Sequence, residues 1–107
     1  MLFDDIFKKR ENKIRRNYEI EDRLYSELEE LAKVYDASVT ELINACLAHL
    51  IETENIVLYQ KDDNELLVTH TILVRESNLS GLEKLKSKYG VSIYKLVNIA
   101  IRNVLNQ

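Results

Sequence analysis

The chain has no proline and no tryptophan, only two glycines and a single cysteine in 107 residues. Each scarcity excludes something. Cys46 alone cannot form an intrachain disulfide framework, and a lone thiol suits a reducing compartment. Gly81 and Gly90 are too few and too far apart for a glycine loop that cradles phosphate. No apolar run approaches the ~20 residues that span a bilayer as a helix, so no membrane partner is expected. The opening MLFDDIFKK sets acids inside its apolar patch and offers no small-residue cleavage site, so no signal peptide is expected and the default location is cytoplasmic. Without proline as punctuation, element boundaries must come from periodicity and repetition.

Hydrophobic residues make up 46% and charged residues 31%, the balance of a folded domain. A net charge of -3 speaks weakly against nucleic acid, because non-specific DNA affinity comes from Lys and Arg neutralising phosphates. The distribution matters more than the sum. Lys8, Lys9, Arg10, Lys13, Arg15 and Arg16 crowd one short segment with one acid, Glu11, whereas acids gather at Glu27, Glu29, Glu30, Asp62, Asp63 and Glu65.

The segment NKIRRNYEIED alternates as a half-buried strand does, with Ile14, Tyr18 and Ile20 on one face and Lys13, Arg15, Asn17 and Glu19 on the other. An amphipathic helix from Asp22 to Tyr35 follows, its stripe being Leu24, Leu28, Leu31 and Tyr35. Asp36 is expected to stop it in a left-handed conformation. Ser38 then caps a second helix, with Glu41 completing a capping box and Val39, Leu42, Ile43, Cys46, Leu47 and Leu50 as the buried stripe.

Sliding the sequence against itself by 54 positions lays VYDASVTELINACL on KYGVSIYKLVNIAI. Leu28 falls on Leu82, Leu31 on Leu85, Tyr35 on Tyr89, Ser38 on Ser92, Leu42 on Leu96 and Asn44 on Asn98. Gly90 takes the helix-stop place of Asp36, and Ser92 the cap place. The second stripes are Leu79, Leu82, Leu85 and Tyr89, then Ile93, Leu96, Val97, Ala100, Ile101 and Val104.

One strand leaves its ladder groups unpaired; two copies solve that together. The expected fold is mainly α with a two-stranded antiparallel β-ribbon, Ile14–Ile20 against Val68–Val74, made by two strand-helix-helix repeats in one chain. Tyr18, Ile20, Ile72 and Val74 would face inward, and Thr69, Thr71 and Leu73 would join the outward row. The divisions are a lead over 1–11, a first repeat over 12–53, a hairpin-like linker over 54–66 with an extra strand at Ile56–Gln60, and a second repeat over 67–107.

Carried by the alternating strand, by IEDRLYSELEELAKVYDASVTELINACL and by its copy VRESNLSGLEKLKSKYGVSIYKLVNIAI, the pattern resembles the ribbon-helix-helix DNA-binding superfamily of the Arc and MetJ type. Members usually supply one strand per chain and dimerise, so a tandem copy looks like the dimer fused. Fused versions are similar to accessory proteins of plasmid relaxosomes, which bind near a transfer origin and can repress their own operon. The resemblance implies that the ribbon enters the major groove of double-stranded DNA. Arg15, Asn17, Glu19, Thr69, Thr71 and Leu73 would then read bases. Arg suits guanine, Asn adenine and Glu cytosine N4, while Thr and Leu suit a thymine methyl. It also implies phosphate contacts at the second-helix starts, Ser38, Val39 and Thr40 with Ser92, Ile93 and Tyr94, joined by Lys8, Lys9, Arg10, Lys13 and Arg16. Arg16 alternates toward the inner side near the ribbon's end and would snorkel to phosphate. Further copies on adjacent sites, and a relaxase or other transfer protein, are the implied partners.

Other chemistry is poorly served. Cys46 and His49 lie three apart on a helix, but no further ligands gather for the four that zinc prefers, so a core cysteine and a surface histidine are expected, with no metal or cofactor. His70 alternates inward as a hydrogen-bonded core or rim residue. No nucleophile-base arrangement points to an enzyme. The competing class is a protein-interaction module, an antitoxin or adaptor, with residues 1–7 as a docking peptide.

Overall fold

A computed structural model of the chain describes residues 12–60 and 63–106. They form strand β1 (Lys13–Glu21), helices α1 (Asp22–Tyr35) and α2 (Val39–Thr53), strand β2 (Leu67–Arg75), and helices α3 (Glu76–Tyr89) and α4 (Ile93–Leu105). The architecture is mainly helical with one two-stranded antiparallel sheet. Each strand runs a residue further at both ends than the alternation alone required. None of the described helices is long and apolar enough to cross a membrane.

Alternation sorts the strand residues by environment. Tyr18, Ile20, Ile72 and Val74 are buried on the inner face, over a core that includes Leu24, Leu28, Ile43, Leu47, Leu82 and Leu96. Each such Leu or Ile contributes about 1.5–3 kcal/mol through removal of its surface from water. The helix stripes are shorter than their periodicity indicates: Tyr35 is 68% exposed and Tyr89 42%. Both sit in the last turn of their helices, and Tyr89 donates its hydroxyl to the Glu54 carboxylate at 2.8 Å.

Helix ends follow local chemistry. α1 stops at Asp36 (φ 51°, ψ 47°) and α3 at Gly90 (φ 66°, ψ 29°), both left-handed, and α2 stops the same way at Glu54 (φ 51°). The Ser38 hydroxyl accepts the Glu41 amide at 3.0 Å, the cap the spacing predicted. Ser92 holds the corresponding place at α4, but its side chain makes no cap bond. Lys95 stands three residues on, in the place of Glu41, whose carboxylate accepts from the Ser38 hydroxyl at 3.2 Å rather than from the Ser38 amide that a full capping box would use.

Two buried asparagines tie the helices to the sheet. Asn44 on α2 donates to the carbonyl of Leu73 at 2.9 Å and accepts the Arg75 amide at 3.0 Å. Asn98 on α4 donates to the carbonyl of Glu19 at 2.9 Å and accepts the Glu21 amide at 2.9 Å. Each carboxamide thus bonds one C=O and one N–H of a strand's outer edge, as a neighbouring strand would.

With the edge at Glu19 and Glu21 occupied, the expected strand at Ile56–Gln60 does not form. Residues 54–60 are irregular, and Ile56 and Tyr59 pack against the core instead. Tyr59 reaches Glu21, whose carboxylate is 2% exposed as a residue, and donates to it at 2.6 Å. Arg102 meets the same carboxylate at 3.2 Å and lies 3.7 Å from the Tyr59 ring centroid. The buried Glu21 carboxylate is therefore matched by a cation and a phenol, while Asn98 accepts from the Glu21 backbone amide.

Candidate nucleic-acid interface

The sheet's register builds the candidate surface. β1 and β2 pair Lys13 with Arg75, Arg15 with Leu73, Asn17 with Thr71, and Glu19 with Thr69. Side chains directly opposed across antiparallel strands share a face. All eight of these residues are exposed, so they form one outward row opposite the buried face. At the middle, the Thr71 hydroxyl donates to Asn17 Oδ1 at 2.7 Å.

The row is electrically lopsided. Lys13, Arg15 and Arg75 occupy one end, and none of them forms an ion pair within the described residues. Glu19 lies past the centre, followed by the capped Glu21. Arg75 completes the cationic end and was not among the residues picked out from sequence. Its signal was available: it ends the alternating run THTILVR on the outward parity.

Arg16 lies on the inner side opposite Ile72, as alternation requires, but one residue from the central Asn17·Thr71 pair rather than near the ribbon's end. It is exposed, donates to the Arg15 carbonyl at 2.9 Å, and borders a shallow depression with Glu83 and Tyr94. Tyr18 lines the same depression, its phenol pKa raised by burial. Lys8, Lys9 and Arg10 lie outside the described residues.

The two second-helix starts flank opposite edges of the sheet. α2 approaches β2 through Asn44, one turn after Thr40. α4 approaches β1 through Asn98, one turn after Tyr94. Helix starts present unbonded N–H groups and a positive dipole end to anions. At α2, Ser38 is exposed and Val39 and Thr40 half-buried, but Ser38 Oγ takes one N–H and the first turn carries Glu41. At α4, Ser92 and Tyr94 are exposed, Ile93 is half-buried, no side chain takes an N–H and the first turn carries no acid. Of the two starts, that of α4, with Lys95, is the less encumbered for an anion. The α2 start is more encumbered but flanks the cationic end of the row.

Cys46 is buried, and burial pushes its thiol up to about 11. His49 is half-buried rather than a surface residue, because its helix face turns toward the groove beside Leu105. No group of three or more metal-ligating residues occurs among the described residues. His70 is half-buried and stacks on Tyr25 with centroids 3.6 Å apart and planes 3° from parallel. Its Nε2 has no hydrogen-bond partner among the described residues, so the contact holding it is the ring face. In comparison with known proteins, the chain matches no family model, no curated sequence and no solved structure.

Proposed function

We propose that the chain is a fused ribbon-helix-helix protein that binds double-stranded DNA in a sequence-specific way, its β-ribbon lying in the major groove. The physiological setting that fits is a cytoplasmic one, as an accessory factor bound near a plasmid transfer origin, as a transcriptional repressor, or both. A relaxase or other transfer protein and further copies of the chain are the partners in that setting. No catalytic step is involved.

The observation that carries this reading is the outward row itself. Arg15, Asn17, Glu19, Thr69, Thr71 and Leu73 are exposed on one face of a two-stranded ribbon, and a helix start flanks each edge. A major groove about 12 Å wide admits a two-stranded ribbon, and flanking helix starts suit its phosphates.

Internal twofold organisation supports the fused form. β1 and β2 begin at Lys13 and Lys13 plus 54, α1 and α3 at Asp22 and Glu76, α2 and α4 at Val39 and Ile93, each pair separated by the same 54 positions. The register places Asn17 opposite Thr71, which are themselves 54 apart. Asn44 and Asn98 obey the same operation, since each holds the strand of the other half.

Binding-site selection followed by mobility-shift competition tests the reading. A specific site should compete at least ~10³-fold better than random duplex, and competition within about tenfold would refute sequence-specific binding. Arg15→Ala should cost about 1–3 kcal/mol and relax preference at one base pair.

A second reading, an antitoxin or interaction adaptor, draws on an apolar groove of about 560 Å³ lined by Leu28, Leu31, Tyr35, Leu42, Val104 and Leu105 among others. It predicts that Arg15→Ala is silent in every binding assay.

A further inference from the structure

The central pair of the ribbon restricts which base it can face. An asparagine carboxamide normally suits adenine, because its oxygen accepts from N6 while its nitrogen donates to N7. That pairing requires the carbonyl and the amino group to be presented side by side to the base edge. Here Asn17 Oδ1 is already engaged by the Thr71 hydroxyl at 2.7 Å. The carboxamide faces the hydroxyl with its oxygen, at a separation ordinary for an O–H···O bond. The amide is thus turned with its carbonyl toward β2, and Nδ2 keeps two N–H donors with no partner among the described residues.

We infer that Thr71 is a specificity-determining residue which orients the Asn17 amide as a donor, so that the centre of the ribbon selects guanine rather than adenine. This rests on the DNA-binding reading above. Guanine presents two acceptors, O6 and N7, to the major groove, and the two N–H groups of Nδ2 can serve both. Adenine presents an N6 amino group that would meet another donor. Arg15, two residues away on the same face, has donors only and favours guanine for the same reason. The arrangement depends on the two strands differing, since Asn17 and Thr71 occupy corresponding places in the two halves. A ribbon with asparagine at both places would lack the hydroxyl that settles the amide.

The test compares the wild-type chain with Thr71→Ser and Thr71→Val. Anisotropy titrations use duplexes of the selected site that differ only at the base pair under the ribbon centre, located by guanine-N7 methylation interference. The wild type and T71S should prefer guanine over adenine there by about tenfold, the scale of one two-point base contact. T71V should lose that preference or turn to adenine. Adenine preference in the wild type, or undiminished guanine preference in T71V, overturns the inference.

A measurement on the free protein needs no DNA. The Asn17 carboxamide carbon resonance should move in T71V and stay in T71S, and an unmoved resonance in T71V shows that the hydroxyl does not hold the amide. If instead the resonance moves but Arg15→Ala binds all duplexes as the wild type does, the DNA-binding reading fails and the guanine assignment falls with it.

Discussion

At the scale of single residues, the asparagines at 44 and 98 contribute more than their size suggests. Truncating Asn98 to Ala strips partners from the Glu19 carbonyl and the Glu21 amide, for an expected loss of about 3 kcal/mol in urea titrations. Asn44→Ala should cost more, because Asn78 also donates to the Asn44 side chain at 2.9 Å. Equal or negligible losses would mean that water replaces the amides without penalty. Two groups make stability fall in alkali. Burial raises the Cys46 thiol from 9.0 to about 11. Burial, then the bond to Glu21, raises the Tyr59 phenol well above its ordinary 10.0. Both are acids that hold their protons longer in the folded chain, so the folded state binds more protons at high pH. Their contribution is complete below pH 9 and is lost as pH rises through the folded values. Urea midpoints should therefore drop between pH 9 and 11. Tyr59→Phe should flatten the part above pH 10 while lowering stability at neutral pH, where Glu21 loses a donor.

At the scale of elements, the helix caps give a paired comparison. Ser38→Ala removes a cap bond at α2 and should cost about 1 kcal/mol, whereas Ser92→Ala removes none at α4 and should cost little. Thermal melts of the two variants check this, and equal shifts would mean that the Ser38 bond adds nothing. Much of this scale was readable in advance. Period-two alternation set both strands to within a residue at each end, and the spacing of Leu24, Leu28 and Leu31 with a stop at Asp36 set α1. Repetition supplied the partner strand. What escaped were contacts between distant parts of the chain. Glu21 reads as a continuation of the exposed row, but Tyr59 and Arg102, 38 and 81 positions away, bury it. The run Ile56–Gln60 has the composition of a strand but no free edge to join. Asn44 and Asn98 were visible as identical residues and as polar interruptions of an apolar stripe, which was the available signal for their role.

At the scale of the whole molecule, the proposed interface is asymmetric twice over. The outward row is cationic at the Lys13–Arg75 end, while the helix start without a side-chain cap or an acid, α4 with Lys95, lies on the β1 edge. Lys95→Ala should weaken binding to all duplexes alike and reduce the log-log salt slope by about 1, the signature of one lost phosphate contact. Glu41→Gln should tighten binding at low salt by removing a negative charge from the α2 start, and unchanged affinity would place that start away from the backbone. On the proposed reading such a chain would have a preferred direction on its site, which cleavage by a tethered reagent at one terminus would show as a one-sided pattern. The asparagine clamps bear on a different property. A lone pair of strands has no interior strand, so each offers unpaired amides that could recruit more strands and seed aggregation. Asn44 and Asn98 cover those groups at Leu73 and Arg75, and at Glu19 and Glu21. Their loss should therefore appear as a tendency to form fibrils before it appears as a failure to fold.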